Sequence, residues 1–447
     1  MANEVAKKAY EFIALGRLPA ATRDALGDTI GSFSGLALEP GSWRATKAGF
    51  AGVFVALPDR GFNIPERGKY SDYPSRVHRL AFEFSGSKLS LTPLDTRLLR
   101  DWNGAVTTGI DPGRGTTKQF GIKLPSPKKG PGAGRISIDS EGLAIADDGR
   151  FFVSDEFAAN IYCCAPDGRM TDVVTPPEAF VPRVDGDECF SSADGIEPKS
   201  GRAPNDGFEG LSLSPDGKQL YALLQSPLVQ DRRGKPETQR FARLLVYEVS
   251  KARPVLSAHY VVELPVFAET AGDRATQPAE ANEIVALGGG RILVLTRESF
   301  GFGAKERNAK KPIAFKRVMA GAISGATNLA GTRHERKAKA VAPKGKLDSE
   351  IEPIRLTDFV DIADEAELNR AGLSARKNRT GYQLLSAKWE SLVLSPPLDP
   401  KRPRERLLFI GNDNDFRTRS GFMPDGSYDG GIEHDNMILV YRVTLPL

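Results

Sequence analysis

The chain has 447 residues, a formal charge of +4, 40% hydrophobic and 26% charged residues, which is the composition of a globular protein. The small net charge does not indicate nucleic acid binding, and no apolar run reaches the roughly 18 residues that a membrane-spanning helix needs. Forty-five Gly and 31 Pro favour tight turns and short strands over long helices.

A short phrase recurs along the chain: a carboxylate, a small or polar residue, and an apolar strand. Four copies begin at Glu141, Glu209, Glu283 and Glu390, and a fifth copy begins at Ser34 without the acid. In each copy a tight turn and a second apolar strand follow. Recurrence at this scale predicts a repeat architecture.

Each copy opens a predicted unit of short strands, which we call a blade. Apolar or alternating runs define the strands, and Asp-Gly and Gly-Gly pairs supply several of the hairpin turns. In chain order the predicted strands are Gly35–Leu38, Gly52–Leu57, Val77–Phe84 and Lys88–Pro93; Glu141–Ala146, Arg150–Ser154, Asn160–Ala165 and Met170–Thr175; Glu209–Ser214, Gln219–Leu224, Arg243–Val249 and His259–Leu264; Glu283–Leu287, Arg291–Thr296 and Phe315–Ile323; Glu390–Ser395, Arg406–Ile410 and Met437–Val443.

The fifth unit lacks a fourth strand, and the run Tyr10–Leu18 can supply it. Such a strand would close the ring and remove the open edges that a sheet otherwise exposes. The sequence therefore predicts an all-β fold, a single β-propeller over residues 1–447 with about five four-stranded blades. A sixth blade built from unassigned segments is the alternative. Predicted insertions cover about 103–135, 303–316 and 328–380, with a helix in Asp358–Ala375.

Strand lengths place the recurring acids. Asp155 lies 14 residues after Glu141, which is room for two strands of about five residues and a turn, so the two residues return to one edge. The same spacing joins Glu283 to Arg297. We therefore expect the strand openers and strand ends to surround one mouth of a central channel. They are Glu141, Glu209, Glu283, Glu390, Asp59, Asp155, Glu156, Glu298, Asp413 and Asp415, with Arg60 and Arg297 among them.

So many carboxylates in a narrow ring would raise each other's pKa unless a positive charge neutralised them. A hard cation can do so, and all-oxygen ligands suit Ca²⁺. The arginines of the ring can do so too. In a third interpretation each opener acid accepts backbone N–H groups and ties one blade to the next without a metal.

Several motifs together resemble the phytase-like domain family, known for an esterase-like activity of phytase. They are Glu141-Gly142-Leu143 with Ser154-Asp155-Glu156, Phe208-Glu209-Gly210-Leu211, Leu293-Val294-Leu295-Thr296-Arg297-Glu298, and Trp389-Glu390-Ser391-Leu392 with Gly411-Asn412-Asp413-Asn414. Ser34-Gly35-Leu36 and Leu57-Pro58-Asp59-Arg60-Gly61 resemble the first repeat of the family. The resemblance covers about residues 30–443. The chain departs from the pattern at Gln225, where an acid is common, and in its long basic insertions.

The resemblance implies a β-propeller with hydrolase activity on phosphate or other esters. It also implies export, to the periplasm or outside the cell. Met1–Lys8 has no apolar run of the signal-peptide kind, which leaves a cytoplasmic location open.

From the ring and the resemblance we expect a metal-dependent hydrolase of an ester, with phosphoesters favoured. The metal would polarise the ester and activate water, and Arg60 and Arg297 would stabilise the developing oxyanion. The expected Ca²⁺ ligands are Glu141, Glu209, Glu283, Glu390 and Asp413, and the expected catalytic residues are Asp59, Arg60, Arg297 and Glu156.

Two other functions stay open: a propeller that binds a ligand or protein without catalysis, and a lactonase or arylesterase. The expected partner is a small ester or phosphoester, with no nucleic acid, and the chain is expected to be a monomer. Nucleophile-elbow, P-loop and Cys-x-x-Cys motifs are absent from the sequence. Cys163, Cys164 and Cys189 are either three free thiols or contain one disulfide.

Overall fold

The computed structural model describes residues 8–64, 69–119, 121–250, 253–306, 308–309, 311–376 and 381–446. Residues 1–7 of the segment searched for a signal peptide, and residues 120, 307, 310 and 377–380 of the predicted insertions, lie outside this description. The described part is dominated by β-strands, which confirms the predicted all-β class. Its α-helical content is the single turn Glu365–Leu368.

The main strands form five four-stranded antiparallel blades, which confirms the predicted propeller-like architecture. From inner to outer strand they are Gly35–Leu38, Gly49–Leu57, Arg76–Ser85 and Lys88–Leu98 (blade 1); Ser140–Ile145, Phe151–Asp155, Ile161–Cys164 and Met170–Val174 (blade 2); Phe208–Leu213, Gln219–Leu224, Phe241–Glu248 and Val255–Glu263 (blade 3); Glu280–Gly288, Arg291–Arg297, Lys316–Ala322 and Ile354–Asp361 (blade 4); Lys388–Leu394, Glu405–Asp413, Asn436–Thr444 and Tyr10–Leu18 (blade 5).

The inner strands close a ring. Each inner strand contacts that of the next blade, and the contact between blades 5 and 1 completes the circle. Apolar side chains pack between neighbouring blades; Trp389 of blade 5, for example, is fully buried with Leu295 of blade 4 in one cluster. Packed blades hold the inner strand ends in fixed positions, so side chains at those ends converge on one mouth of the ring.

The N-terminal strand completes blade 5, as the sequence predicts. Tyr10–Leu18 pairs antiparallel with Asn436–Thr444, from Tyr10 opposite Val443 to Leu18 opposite Asn436. Its burial alternates, with Phe12 among the buried residues, because successive side chains of a strand point to opposite faces. The closing strand also pairs briefly, and in parallel, with the outer strand of blade 1.

The predicted helix over Asp358–Ala375 is wrong in its first part. Ile354–Asp361 is the fourth strand of blade 4 and pairs antiparallel with the third, with Val318 opposite Val360. Val360 is fully buried there, which a strand position between two blades explains. The helix is limited to Glu365–Leu368, where the Asp364 carboxylate caps the first turn by accepting a hydrogen bond from Ala366 N.

Short pieces occupy the connections between the main strands. Additional strands are Arg44–Ala45, Asn63–Ile64, Lys69–Tyr70, Thr116–Gln119, Ile122–Pro125, Arg183–Val184, Asp187–Glu188, Val266–Phe267, Gln277–Pro278, Gly421–Met423 and Gly426–Tyr428. Single 3₁₀ turns are Glu178–Phe180, Val229–Asp231, Pro236–Thr238, Arg333–Glu335, Pro343–Gly345, Asn369–Ala371 and Gly381–Gln383. Cys163, Cys164 and Cys189 are buried free thiols. Within the described ranges, no helix has the length and apolar character to cross a membrane.

Candidate metal and active site at the mouth of the ring

The site lies where inner strands begin and second strands end, because these ends meet at one mouth of the ring. Glu141, Glu209 and Glu390 open the inner strands of blades 2, 3 and 5, and all three are buried. Burial raises the pKa of Glu141 well above its usual range, and the nearby carboxylates of Glu209 and Asp59 raise it further. The predicted convergence of these acids is therefore present.

Asp59, Asp139 and Glu141 form a first acidic group. One oxygen from each carboxylate can be chosen so that all three lie within 4.8 Å of one another. Asp59 follows the second strand of blade 1, whereas Asp139 and Glu141 flank Ser140 at the start of blade 2. The Ser140 hydroxyl joins the two blades at this point, because it donates to the carbonyl of Pro58 at 2.8 Å.

Only one of the two carboxylate oxygens of Asp139 has a hydrogen-bond partner. Its Oδ2 accepts a hydrogen bond from Arg60 Nη1 at 2.6 Å, whereas its Oδ1 is buried without a hydrogen-bond partner. Burial raises the pKa of Asp139 to about 7, although the Arg60 guanidinium opposes the rise. A buried carboxylate oxygen without a partner loses its hydration and gains nothing in return, which makes this oxygen a natural ligand position for a cation.

Glu156 lies beside this group at the end of the second strand of blade 2. Its Oε1 is also buried without a hydrogen-bond partner. Burial raises the pKa of Glu156 to about 8, helped by the charges of Asp206 and Asp59 and opposed by Arg60. At neutral pH this side chain is therefore predominantly a protonated acid, able to give up a proton.

Asp59, Asp413 and Asp415 form a second acidic group by the same 4.8 Å criterion, so Asp59 belongs to both groups. Lys388 lies directly opposite Asp413 in the strand register of blade 5. Its Nζ donates to Asp413 Oδ2 and, at 3.0 Å, to Asp415 Oδ1, and lies 3.4 Å from Glu390 Oε1. Burial disfavours the ammonium charge, but these carboxylates outweigh that effect and raise the pKa of Lys388.

The backbone of the loop after Asp413 places the Asp415 carboxylate in contact with Lys388. Asp415 and Phe416 both have a positive φ, at 51° and 55°. Residues other than glycine rarely adopt this backbone conformation. The Asn414 side chain holds the turn, because its Oδ1 accepts from Phe416 N at 2.9 Å. Burial raises the pKa of the Asp415 carboxyl, but the charge of Lys388 prevails and holds it well below its usual range.

The strand-opening acids Glu390 and Glu209 are hydrogen-bonded to other side chains of the protein. Glu390 accepts a hydrogen bond from Arg297 Nη2, and the Gln225 amide donates to Glu209 Oε1. Arg297 is buried, and its Nη1 also donates to Ser299 Oγ at 2.7 Å. Gln225, which departs from the acidic pattern of the family, thus serves as a neutral partner for an acid.

Three predicted ring acids instead accept backbone hydrogen bonds. Glu283 Oε1 accepts from Leu211 N at 2.7 Å and Ile284 N at 2.9 Å, and so ties blade 4 to blade 3. The carboxylates of Asp155 and Glu298 likewise accept from backbone N–H groups. The contacts of Glu283, which is the opener among the three, match the third interpretation, and its role as a metal ligand stays a prediction.

Asp139 and Lys388 were not among the predicted site residues. Each lies two positions before an opener acid, Glu141 and Glu390 respectively, and alternate residues of a strand share one face. This two-residue spacing from an opener acid is the sequence feature that could have identified Asp139 and Lys388. Their pairing with residues of other strands depends on the approach of chain segments that are distant in sequence.

The family profile phytase-like, described as esterase-like activity of phytase, matches residues 28–416. The chain belongs to the phytase-like family. The predicted resemblance is thereby confirmed, and the matched range contains every acid of the two groups.

Individual proteins are similar to this chain in sequence or in structure. An uncharacterised secreted protein of Arthroderma benhamiae is 33% identical over 464 residues, covering 92% of this chain and 87% of that protein. Among solved structures, the Malassezia sympodialis allergen Mala s 1 has a TM-score of 0.36 and 13% identity, covering 94% of this chain and 82% of the allergen. A luciferin-regenerating enzyme has a TM-score of 0.30 and 10% identity, with 96% of each chain covered.

Proposed function

We propose that this phytase-like chain is a metal-dependent hydrolase of esters, with phosphoesters as the favoured substrates. One divalent cation, Ca²⁺ by the chemistry of the donors, would bind Asp59, Asp139 and Glu141. The observation that carries the proposal is the buried, unpartnered Oδ1 of Asp139 in a group of three carboxylates. An all-oxygen set of this kind suits a hard cation.

The distribution of charge around the mouth supports this location. Lys388 and Arg297 already neutralise acids on the side of blades 4 and 5. On the side of blades 1 and 2, Arg60 contacts Asp139, while Glu141 and Glu156 have raised pKa values because of burial and neighbouring acids. The carboxyl groups on this side retain protons because one guanidinium does not neutralise them all, and an added divalent cation would displace those protons and pair with the carboxylates.

A bound divalent cation would polarise the ester and lower the pKa of a bound water. Arg60 is suited to orient a phosphoester, because its guanidinium is held by Asp139 and by Asn205 Oδ1 at 3.1 Å. Its side chain retains 12% exposure and is therefore partly accessible to solvent. Fixed donors aimed at developing negative charge stabilise the transition state.

Glu156 has the properties of a general acid. Burial raises its pKa to about 8 in the metal-free protein, so it can bring a proton to the site and deliver it to the leaving oxygen of the ester. Arg297, the other predicted oxyanion group, has its Nη atoms in contact with Glu390, Glu280 and Ser299. These contacts favour a neutralising role for Arg297, and its catalytic role stays a prediction.

Export is part of the proposal. The relative from Arthroderma benhamiae is named a secreted protein, and we extend that location to this chain. Extracellular fluids are rich in Ca²⁺, which accords with a site of modest affinity built from carboxylates.

The test is a hydrolysis assay on metal-replete and chelated protein with phosphomonoesters, phosphodiesters, aryl esters and lactones. We expect phosphoester hydrolysis that chelator abolishes and Ca²⁺ restores, and that Asp139→Asn lacks. Turnover limited to lactones or aryl esters would favour the alternative esterase. Stabilisation by Ca²⁺ without turnover of any substrate would contradict the hydrolase and favour a ligand-binding propeller.

A further inference from the structure

We propose that Lys388 takes the place of a second metal ion, so that the mouth binds one divalent cation although it has acids for two. The inference rests on the proposed function in one respect, namely that the group of Asp59, Asp139 and Glu141 is the cation site. It concerns the other group, Asp59, Asp413 and Asp415.

The contacts of Lys388 are those of a bound cation. Its Nζ donates to Asp413 and Asp415 and lies 3.4 Å from Glu390 Oε1. An ammonium has three N–H donors and no acceptor, so three surrounding carboxylates match its capacity. A metal ion that entered this group would have to share the same oxygens with a fixed positive charge.

Asp59 belongs to both acidic groups. This shared carboxylate indicates that the mouth would resemble a two-metal site if Lys388 were absent. Two acidic groups that have one carboxylate in common resemble the arrangement of two-metal hydrolases, in which adjacent ions bridge through shared ligands. In this chain one of the two positions is filled by a side chain. Its charge is therefore present whatever the metal concentration.

The strand register keeps the Lys388 ammonium in the place of the second metal ion. Lys388 and Asp413 are directly opposite each other near the end of blade 5, so the backbone hydrogen bonds of the sheet fix the pair. The Asp413 side chain is fully buried, and a buried carboxylate without a cation would be costly.

Ca²⁺ stoichiometry, measured by isothermal titration and native mass spectrometry, tests the inference without an activity readout. We compare the wild type with Lys388→Met, which removes the charge at similar length, and with Lys388→Arg, which retains it. We expect one Ca²⁺ per chain for the wild type and Lys388→Arg, and two for Lys388→Met. Asp415→Asn added to Lys388→Met should return the value to one.

The outcomes separate this inference from the proposed function. Two ions in the wild type, or one ion in both the wild type and Lys388→Met, would overturn the inference and leave the proposed cation site standing. No ion in the wild type and one in Lys388→Met would support the inference and overturn the proposed site. No ion in either protein would overturn both. If circular dichroism shows that Lys388→Met is unfolded, Lys388→Gln replaces it with the same expected outcomes.

Discussion

Arg60 of blade 1 contacts Asp139 of blade 2 at 2.6 Å between Nη1 and Oδ2, and this contact leaves Oδ1 of the same carboxylate unpartnered. The ion pair therefore does two things at once. It joins neighbouring blades at the mouth, and it occupies one oxygen of Asp139 while the other stays buried without a partner.

Asp139→Asn should abolish stabilisation by Ca²⁺, because the amide removes the negative charge from the first acidic group. For a one-site protein, ligand at a hundredfold excess over Kd raises the free energy of unfolding by about 2.7 kcal/mol. Thermal unfolding with Ca²⁺ and with chelator measures the effect. Asp147→Asn, at an exposed turn, is the matched control and should respond like the wild type. An equal Ca²⁺ shift in Asp139→Asn would contradict the assignment.

The chelated protein should lose stability as pH rises from about 4 to about 8. Asp139 and Glu156 have folded pKa values raised to about 7 and about 8 by burial, whereas unfolded carboxyls titrate near 4. The folded state therefore binds more protons than the unfolded state in this window, and its free energy of unfolding falls with pH.

Denaturant unfolding in chelator at several pH values measures this dependence. The double variant Asp139→Asn, Glu156→Gln should have a flatter profile, because neither amide titrates. Identical slopes for the wild type and the double variant would show that these two groups do not hold the protons.

Glu156→Gln should lower kcat by about 10²- to 10⁴-fold, the usual contribution of general acid–base catalysis. Cation binding should persist, since Glu156 is outside the first acidic group. In the wild type, kcat should fall as pH rises through the pKa of Glu156, which the bound cation lowers from its value of about 8 in the metal-free protein. Glu178→Gln, at an exposed position, is the control. Unchanged kcat in Glu156→Gln would remove the residue from the mechanism.

Glu283→Ala should destabilise the fold by about 1–3 kcal/mol, because the N–H groups of Leu211 and Ile284 lose their buried acceptor. Glu283→Gln retains an acceptor oxygen and should cost less. Chemical denaturation measures both, and Ca²⁺ titration should give the wild-type affinity for Glu283→Gln. A large loss of Ca²⁺ affinity in that variant would restore Glu283 as a metal ligand.

Phe12→Ala should cost about 3–5 kcal/mol, the range for a fully buried aromatic side chain. Phe12 is 3% exposed and packs edge-on against Tyr441 at a ring distance of 5.5 Å. Glu11→Ala, on the outer face of the same strand, should change stability by under 1 kcal/mol. Equal stabilities for the two variants would indicate that the closing strand contributes little.

The blades were predictable because their signals are local. Alternation, Asp-Gly turns and the recurring acids each occur within a few residues, and together they predicted the five blades and the closing strand Tyr10–Leu18. The fourth strand of blade 4 was missed, since an insertion of about 30 residues separates Ile354–Asp361 from the strand it pairs with. Acids at Asp361 and Asp364 suggested a helix start, but burial of Val360 between blades determines a strand.

The sequence predicted where the site lies, but it did not predict which side chains contact each other there. Hairpin lengths brought Glu141, Asp59 and Asp413 to one mouth, since strand rise and turn length are nearly constant. The partners of these acids depend on how closely separate blades approach. Lys388 in the second group and the unpartnered oxygen of Asp139 are consequences of that approach, which no local pattern contains.

Blade 5 also determines when the protein can finish folding during translation. Its strands Tyr10–Leu18 and Asn436–Thr444 come from opposite ends of the chain, so the first must wait for the last. At 5–20 residues per second, the interval is roughly 20–80 s. Throughout that time Tyr10–Leu18 lacks its antiparallel partner and has only its brief parallel pairing with blade 1. A nascent chain of this topology should therefore depend on chaperones before its final strand leaves the ribosome.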